Sequence, residues 1–257
     1  MLWQIRNTGV ALLGAIHVLD APLTALAPAA EQAYRAASRV VFEVALDRVP
    51  DGGAAYFPEG DGLGRHLAPA VLGQVRALWQ DFGLPAAELE RLRPVFAALH
   101  LQFALAARQG IVAQHGVDRY LWMRARADGL SAEALEDAGE ALRLLRDVPL
   151  HEQLGMLAFF AAQPALAAAE PADMVRWWRG GQAAPFAALL AQRRAQWPAT
   201  LAALVDARNR LWLPKILALI ATRTPALVVV GALHLVGETG LPALLAQAGF
   251  ETQPAGA

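Results

Sequence analysis

One sequence frame stands near both ends of the chain and constrains the fold more than any other feature. Ala11-Leu-Leu-Gly-Ala-Ile-His-Val-Leu19 and Val228-Val-Val-Gly-Ala-Leu-His-Leu-Val236 both read aliphatic run, Gly-Ala, aliphatic residue, His, aliphatic pair. A short apolar run with β-branched residues, closed by glycine, is the pattern of a strand buried in a parallel sheet. Ligands of such sheets sit beyond the carboxyl ends of the strands. Two strands that each leave with Gly-x-x-His therefore bring His17 and His234 to one crevice, the candidate active site.

The rest of the chain is arranged around that pair. Leu2 to Ile5 and Val10 to Ile16 read as strands joined by a turn at Arg6-Asn-Thr-Gly9, whose residues tolerate the backbone a hairpin needs. A helix follows from about Pro28 to Ala37, and Arg39 to Leu46 is the next strand. Glu43 lies inside that run among aliphatic neighbours, where an unpaired carboxylate is costly, so it is expected to meet a cation or work as an acid. The glycines at 60, 62 and 64 lack the spacing of a phosphate cradle and suit a connector.

From about Leu63 to Ala221 the apolar spacing is helical. Segments run over 67–82, 94–109, 117–127, 140–147, 151–169, 172–180 and 198–221, and Pro171 and Pro185 are read as breaks. The strand that starts at Leu227, a turn at Gly237-Glu-Thr-Gly, a helix over 242–248 and a strand over 250–253 close the chain. The expected fold is α/β: a mixed central sheet built from the N- and C-terminal segments and flanked by helices. It forms a single domain over 1–257, with a large helical insertion at about 63–200.

Composition excludes several functions. The 257 residues contain no cysteine, which removes disulfides, thiolate metal sites and a cysteine nucleophile together. Ser38 and Ser131 are the only serines, and neither sits in a Gly-x-Ser-x-Gly elbow. A net charge of −1 argues against a nucleic-acid partner. The 56% hydrophobic fraction owes much to alanine, and no charge-free run reaches the roughly 20 residues of a spanning helix. The N-terminus lacks the features of a signal peptide; an exported precursor without its leader would read the same, so the sequence assigns no compartment.

Two imidazoles alone make a poor metal site, because zinc or manganese takes a third protein ligand, usually a carboxylate. Glu43 is the best candidate, with Glu136 and Asp118 behind it. Arg208-Asn209 pairs a guanidinium with an amide, which suits a carboxylate or a developing oxyanion. His66, His100, His115 and His151 lack a partner at ligand spacing and read as surface or cap residues, and Trp79 and Trp177-Trp178 read as packing.

In these features the chain resembles the TraB/GumN family, which is similar in fold to the Tiki metalloproteases. The likeness rests on Leu2-Trp-x-Ile5, Gly14-Ala-Ile-His17, Val41-Phe-Glu43, Gly116-Val-Asp118, Leu135-Glu136, Leu150-His-Glu-Gln153, Asp206-x-Arg208-Asn209 and Val230-Gly-Ala-Leu-His234-Leu-Val-Gly237, in family order over nearly the whole chain. It implies a metal-dependent hydrolytic site made by the two Gly-x-x-His histidines and the glutamate of the third strand. Tiki proteins act as divalent-metal peptidases. Ala15 stands where the family usually has Thr. The family's strand before Leu-Glu reads here by propensity as a helix start, with Ser131 as N-cap, yet 131–135 is assigned as a short strand.

The reading is a hydrolase of a peptide or amide bond using a metal-activated water. The ion is Mn, Co or Zn, and the substrate a peptide or small molecule. His17, Glu43 and His234 hold the ion, Glu43 and Glu136 are the catalytic carboxylates, and Asp118, Arg208 and Asn209 bind substrate. Two rival readings are a non-catalytic haem-like binding protein with His17 or His234 as axial ligand, and an interaction protein of surface-polysaccharide assembly. The sequence does not fix the oligomeric state.

Overall fold

The structure is a computed structural model and describes residues 1–48 and 50–255. Among these residues six strands form one mixed sheet: β1 (Leu2–Ile5), β2 (Val10–Ala15), β3 (Arg39–Phe42), β4 (Ser131–Ala134), β5 (Ala226–Gly231) and β6 (Thr252–Pro254). Their spatial order is β4-β3-β5-β2-β1-β6. β2, β5, β3 and β4 run parallel, while β1 and β6 extend the sheet antiparallel beyond β2. The chain's two ends thus supply the centre of the sheet. The two strands carrying the repeated frame lie side by side, with Gly14 opposite Val230 and Ala15 opposite Gly231.

Helices account for the continuous apolar character of the central strands. They are α1 (Pro28–Ala36), α2 (Pro69–Asp81), α3 (Ala86–Arg91), α4 (Pro94–Ala107), α5 (Val117–Ala127), α6 (Ala138–Arg146), α7 (Leu150–Ala162), α8 (Pro164–Arg179), α9 (Ala183–Gln196), α10 (Pro198–Leu201), α11 (Arg208–Ala221) and α12 (Leu241–Gln247). All six residues of β2 are buried, as are the first five of β5, because both faces of the sheet are covered. On one face Leu13, Phe42 and Val229 pack with Trp122 of α5 and Phe186 of α9. On the other Leu12 and Val228 pack with Trp212 and Ile216 of α11 and Leu241 of α12. Each such side chain removed from water contributes about 1.5–3 kcal/mol. A third cluster, around Trp79, Leu101 and Leu157, joins α2, α4 and α7.

Local departures from the sequence reading have local causes. β3 stops at Phe42, four residues short of its expected end, so Glu43 stands just past the strand and not within it. The pairings to β4 and β5 both end at Phe42, and the Glu43 carboxylate turns to the Gly231 N–H instead. The expected break at Pro171 falls at Gln163, because the residue before Pro164 is pushed out of the helical region (φ −133°, ψ 55°). α8 then runs through Pro171. Helix α9 was not expected at all; Pro185 lies in its first turn, where a missing N–H is harmless. The helix over 198–221 forms, interrupted by a π-helical turn at Ala202–Ala207. Among the described residues no helix is long and apolar enough to cross a membrane.

Candidate functional site

The four parallel strands end on one edge of the sheet, and each is followed closely by a residue of the candidate site. His17 follows β2, Glu43 follows β3, Glu136 follows β4 and His234 follows β5. The carboxyl edge of a parallel sheet collects such residues because every crossover returns the chain to the opposite edge. A glycine marks where they meet. A Cβ added to Gly231 would lie 3.2 Å from Glu43 Oε1, 3.5 Å from His234 Cδ2 and 3.8 Å from His17 Nε2. Both histidines and the nearer carboxylate thus surround one point more than two hundred positions apart in sequence. A cavity of about 40 Å³ opens beside it between His17, Glu43, Asp118 and an apolar floor that includes Ala15 and Phe42.

Each imidazole is held from behind. His17 Nδ1 lies 2.9 Å from Asp118 Oδ2, and a carboxylate there calls for a proton on Nδ1. Asp118 reaches it because the start of α5 is pressed onto the end of β2. Val117 N–H donates to Ile16 O at 2.9 Å, and a Cβ at Gly116 would stand 2.5 Å from the His17 carbonyl oxygen, leaving room only for glycine. The Asp118 charge beside it raises His17 to about 9. The ring itself is 57% exposed and faces the crevice mouth.

His234 lies in a 3₁₀ turn after β5, buried against Trp212 with ring centroids 4.5 Å apart. Burial drives it down to about 4, so the ring is neutral at pH 7. Its Nδ1 is 2.7 Å from Asn209 Oδ1. The Asn209 amide nitrogen donates to the backbone oxygens of Thr239 (2.8 Å) and His234 (3.3 Å), which fixes the amide's orientation. The π-helical turn immediately before α11 sets the rotation at which Arg208 and Asn209 leave the helix.

Arg208 fills the space between the acids. Its Nη2 is 2.5 Å from Glu43 Oε2 and 2.5 Å from Glu136 Oε1, its Nε donates to Glu136 Oε1 at 2.7 Å, and its Nη1 faces His234 Nε2 at 3.4 Å. Burial works against ionisation of Glu43, but the positive charge around it outweighs burial. Arg208 leads once His234 is neutral, and the carboxyl is held well below its usual range. Glu136 goes the other way, because burial raises it more than Arg208 lowers it. Two carboxylates with divergent proton affinities are thus bridged by one guanidinium, and such a divergence is the usual basis for dividing acid and base roles.

All seven residues singled out from the sequence meet here: His17, Glu43, Asp118, Glu136, Arg208, Asn209 and His234. Two differ in their contacts from the substrate-binding part expected of them. Asp118 faces His17, and the fully buried Asn209 amide is used up by His234 and two carbonyls. Sequence reading missed Trp212 and Lys215. At i+4 and i+7 from Arg208 on α11, Trp212 Nε1 donates to Glu136 Oε2 (3.1 Å) and Lys215 Nζ to Leu135 O. That helical spacing, with the chain's single lysine in it, was a signal. It also missed Thr239, whose hydroxyl donates to Asp206 while its carbonyl anchors Asn209. Of the other histidines, His66 pairs with Asp61 and His100 Nδ1 donates to Phe96 O, both away from the site.

Among the described residues no group of three or more His, Cys, Asp or Glu side chains is arranged as a ready metal site. The Arg208 guanidinium stands among the atoms that would have to converge. A family model described as the TraB/PrgY/gumN family matches residues 1–254. No curated protein and no solved structure matches the chain.

Proposed function

The chain belongs to the TraB/PrgY/gumN family, and from that premise we propose that it is a metal-dependent hydrolase of a peptide or amide bond, similar in chemistry to the Tiki metalloproteases. His17, Glu43 and His234 would hold a divalent ion, Mn, Co or Zn. The observation that carries the reading is the Gly231 cradle. Around this backbone position without a side chain stand an imidazole nitrogen, a carboxylate oxygen and the edge of a second imidazole, all within 4 Å.

The protonation pattern fits a metal. Asn209 accepts from the Nδ1–H of neutral His234, which leaves that ring's Nε2 lone pair toward the crevice, while His17, held from behind by Asp118, would give up its Nε2 proton to an incoming ion. Ligating histidines are oriented in this way by carboxylate and carbonyl partners behind them. The set of two imidazoles and a carboxylate suits zinc or manganese and leaves room for water. Such an ion supplies a Lewis acid and lowers the pKa of water toward neutrality.

The chain's own groups do the rest. Glu136, with its raised proton affinity, is suited to take a proton from the attacking water and return it to the leaving amine. Arg208 offers a fork of donors for an oxyanion or a substrate carboxylate. The apolar floor beside His17 accepts an uncharged substrate group.

Metal analysis of the purified protein beside the His17→Ala, His234→Ala double variant tests this. Stoichiometric metal in the wild type, and its loss from a variant with unchanged circular dichroism, is expected. Metal-free wild type that also fails to take up Mn²⁺, Co²⁺ or Zn²⁺ on titration would end the reading.

A further inference from the structure

We propose that Arg208 is an internal stand-in for the metal: its guanidinium closes the site and must leave Glu43 before a divalent ion can enter. The inference rests on the metal-site reading above and adds a regulatory device to it.

Arg208 satisfies both groups that an ion would claim. Nη2 holds Glu43 Oε2 at 2.5 Å, and Nη1 points at His234 Nε2, 3.4 Å away. Because the His234 proton sits on Nδ1, facing Asn209, that Nε2 offers a lone pair to whatever cation stands before it. A guanidinium in this position neutralises Glu43 and keeps a buried carboxylate from standing unpaired, which would be costly.

The same side chain has somewhere to go. Its Nε and Nη2 both contact Glu136, and its Cζ lies over the Trp212 ring, 4.5 Å from the centroid. Letting go of Glu43 still leaves the guanidinium paired with Glu136, onto which the rigid plane can shift as a whole. Glu136 is in turn fixed from two further directions, by Trp212 Nε1 and, through the adjoining carbonyl, by Lys215. Glu136 therefore stays in place as a partner while the whole guanidinium moves off Glu43.

Two consequences follow from the geometry. Metal and Arg208 compete for Glu43, so each weakens the other's hold by the same factor. Loading also frees Nη1 and Nη2 to point into the crevice, so the donors for a substrate oxyanion become available only when the ion is in place.

The test uses the full-length protein and Co²⁺ or Mn²⁺ alone, followed by calorimetry and by the visible absorption of Co²⁺, with circular dichroism to confirm folding. Arg208→Met removes the competitor and is expected to bind about tenfold or more tighter, the factor set by one charge-assisted hydrogen bond. Arg208→Lys keeps the charge but lacks the planar fork that reaches Glu43 and His234 together, so it too is expected to bind tighter than wild type. If Arg208→Lys matches wild type while Arg208→Met tightens, only net charge is acting and the stand-in is overturned. Variants binding no better than a wild type that does bind overturn it while leaving the metal site standing. If no form binds, both readings fall.

Discussion

Asn209 decides which nitrogen of His234 carries the proton. Its Oδ1 lies 2.7 Å from His234 Nδ1, and it cannot flip, because its nitrogen already donates to two backbone carbonyls in a fully buried setting. The ring is thereby locked with Nε2 unprotonated toward Arg208 and Glu43.

Replacing Asn209 by Leu removes that lock. The tautomer is expected to redistribute, and metal affinity to fall about 10- to 100-fold, as for other ligand-orienting partners. Two carbonyls lose their donor as well, at about 1–3 kcal/mol of stability. Nitrogen-15 shifts of the His234 ring report the tautomer directly. An unchanged ring spectrum in Asn209→Leu would show that the amide does not set it.

Gly231→Ala separates the crevice from the fold. Its backbone (φ −54°, ψ 141°) accommodates any L residue, so the chain should fold normally. The new methyl would stand 3.2 Å from Glu43 Oε1 and 3.8 Å from His17 Nε2, in the space an ion needs. The melting temperature should move little while Mn²⁺ or Co²⁺ binding is lost. Retained binding in Gly231→Ala would mean that the ion, if any, sits elsewhere.

The convergence of His17 and His234 was legible because strand-exit glycines and parallel pairing are written in local pattern, and that pattern carries to the sheet edge. The end of β3 was not legible. The run Val44-Ala-Leu is apolar enough to continue a strand, but the Glu43 side chain just past Phe42 is held by the Gly231 N–H and by Arg208, both distant in sequence. Arg208's hold on two acids at once was hidden for the same reason. The sequence shows a guanidinium on a helix face, but not which carboxylates the sheet delivers to it. Asn209 and Asp118 are subtler still: residue type suggested substrate contact, while packing turns both toward histidines.

Acid should loosen α1 from α5. Glu31 binds Arg124 bidentately and Arg35 besides, and those hydrogen bonds hold its carboxyl down at about 2. A depressed folded-state pKa contributes stability above the unfolded value and loses it as pH falls toward the folded one. The window here runs from the ordinary 4.5 down to about 2. Glu31→Gln should therefore be less stable than wild type at pH 7, by about 1 kcal/mol after solvent screening, and the gap should close across that window. Melting temperatures at intervals from pH 7 to 2 check it; a gap that widens in acid reverses the sign and refutes the assignment.

Glu152 governs the entry to the helix that carries Arg208 and Asn209. It sits on α7, buried, and its carboxylate accepts from Ala199 N (2.9 Å), Thr200 N (2.8 Å) and Thr200 Oγ1 (2.7 Å) at the first turn of α10. Those are the donors a helix start leaves without partners, and the nearest residue ahead, Trp197, offers no capping side chain. A negative charge at that end is further favoured by the helix dipole. Glu152→Ala strands three donors and is expected to cost about 2–4 kcal/mol, seen as a lower urea midpoint. Glu152→Gln keeps one acceptor oxygen and should fall between. Because α10 runs through the π-helical turn into α11, Glu152→Ala should also weaken binding of Co²⁺ at the proposed site, whose residues it never touches. A variant destabilised as expected yet binding Co²⁺ as wild type would restrict Glu152 to stability alone.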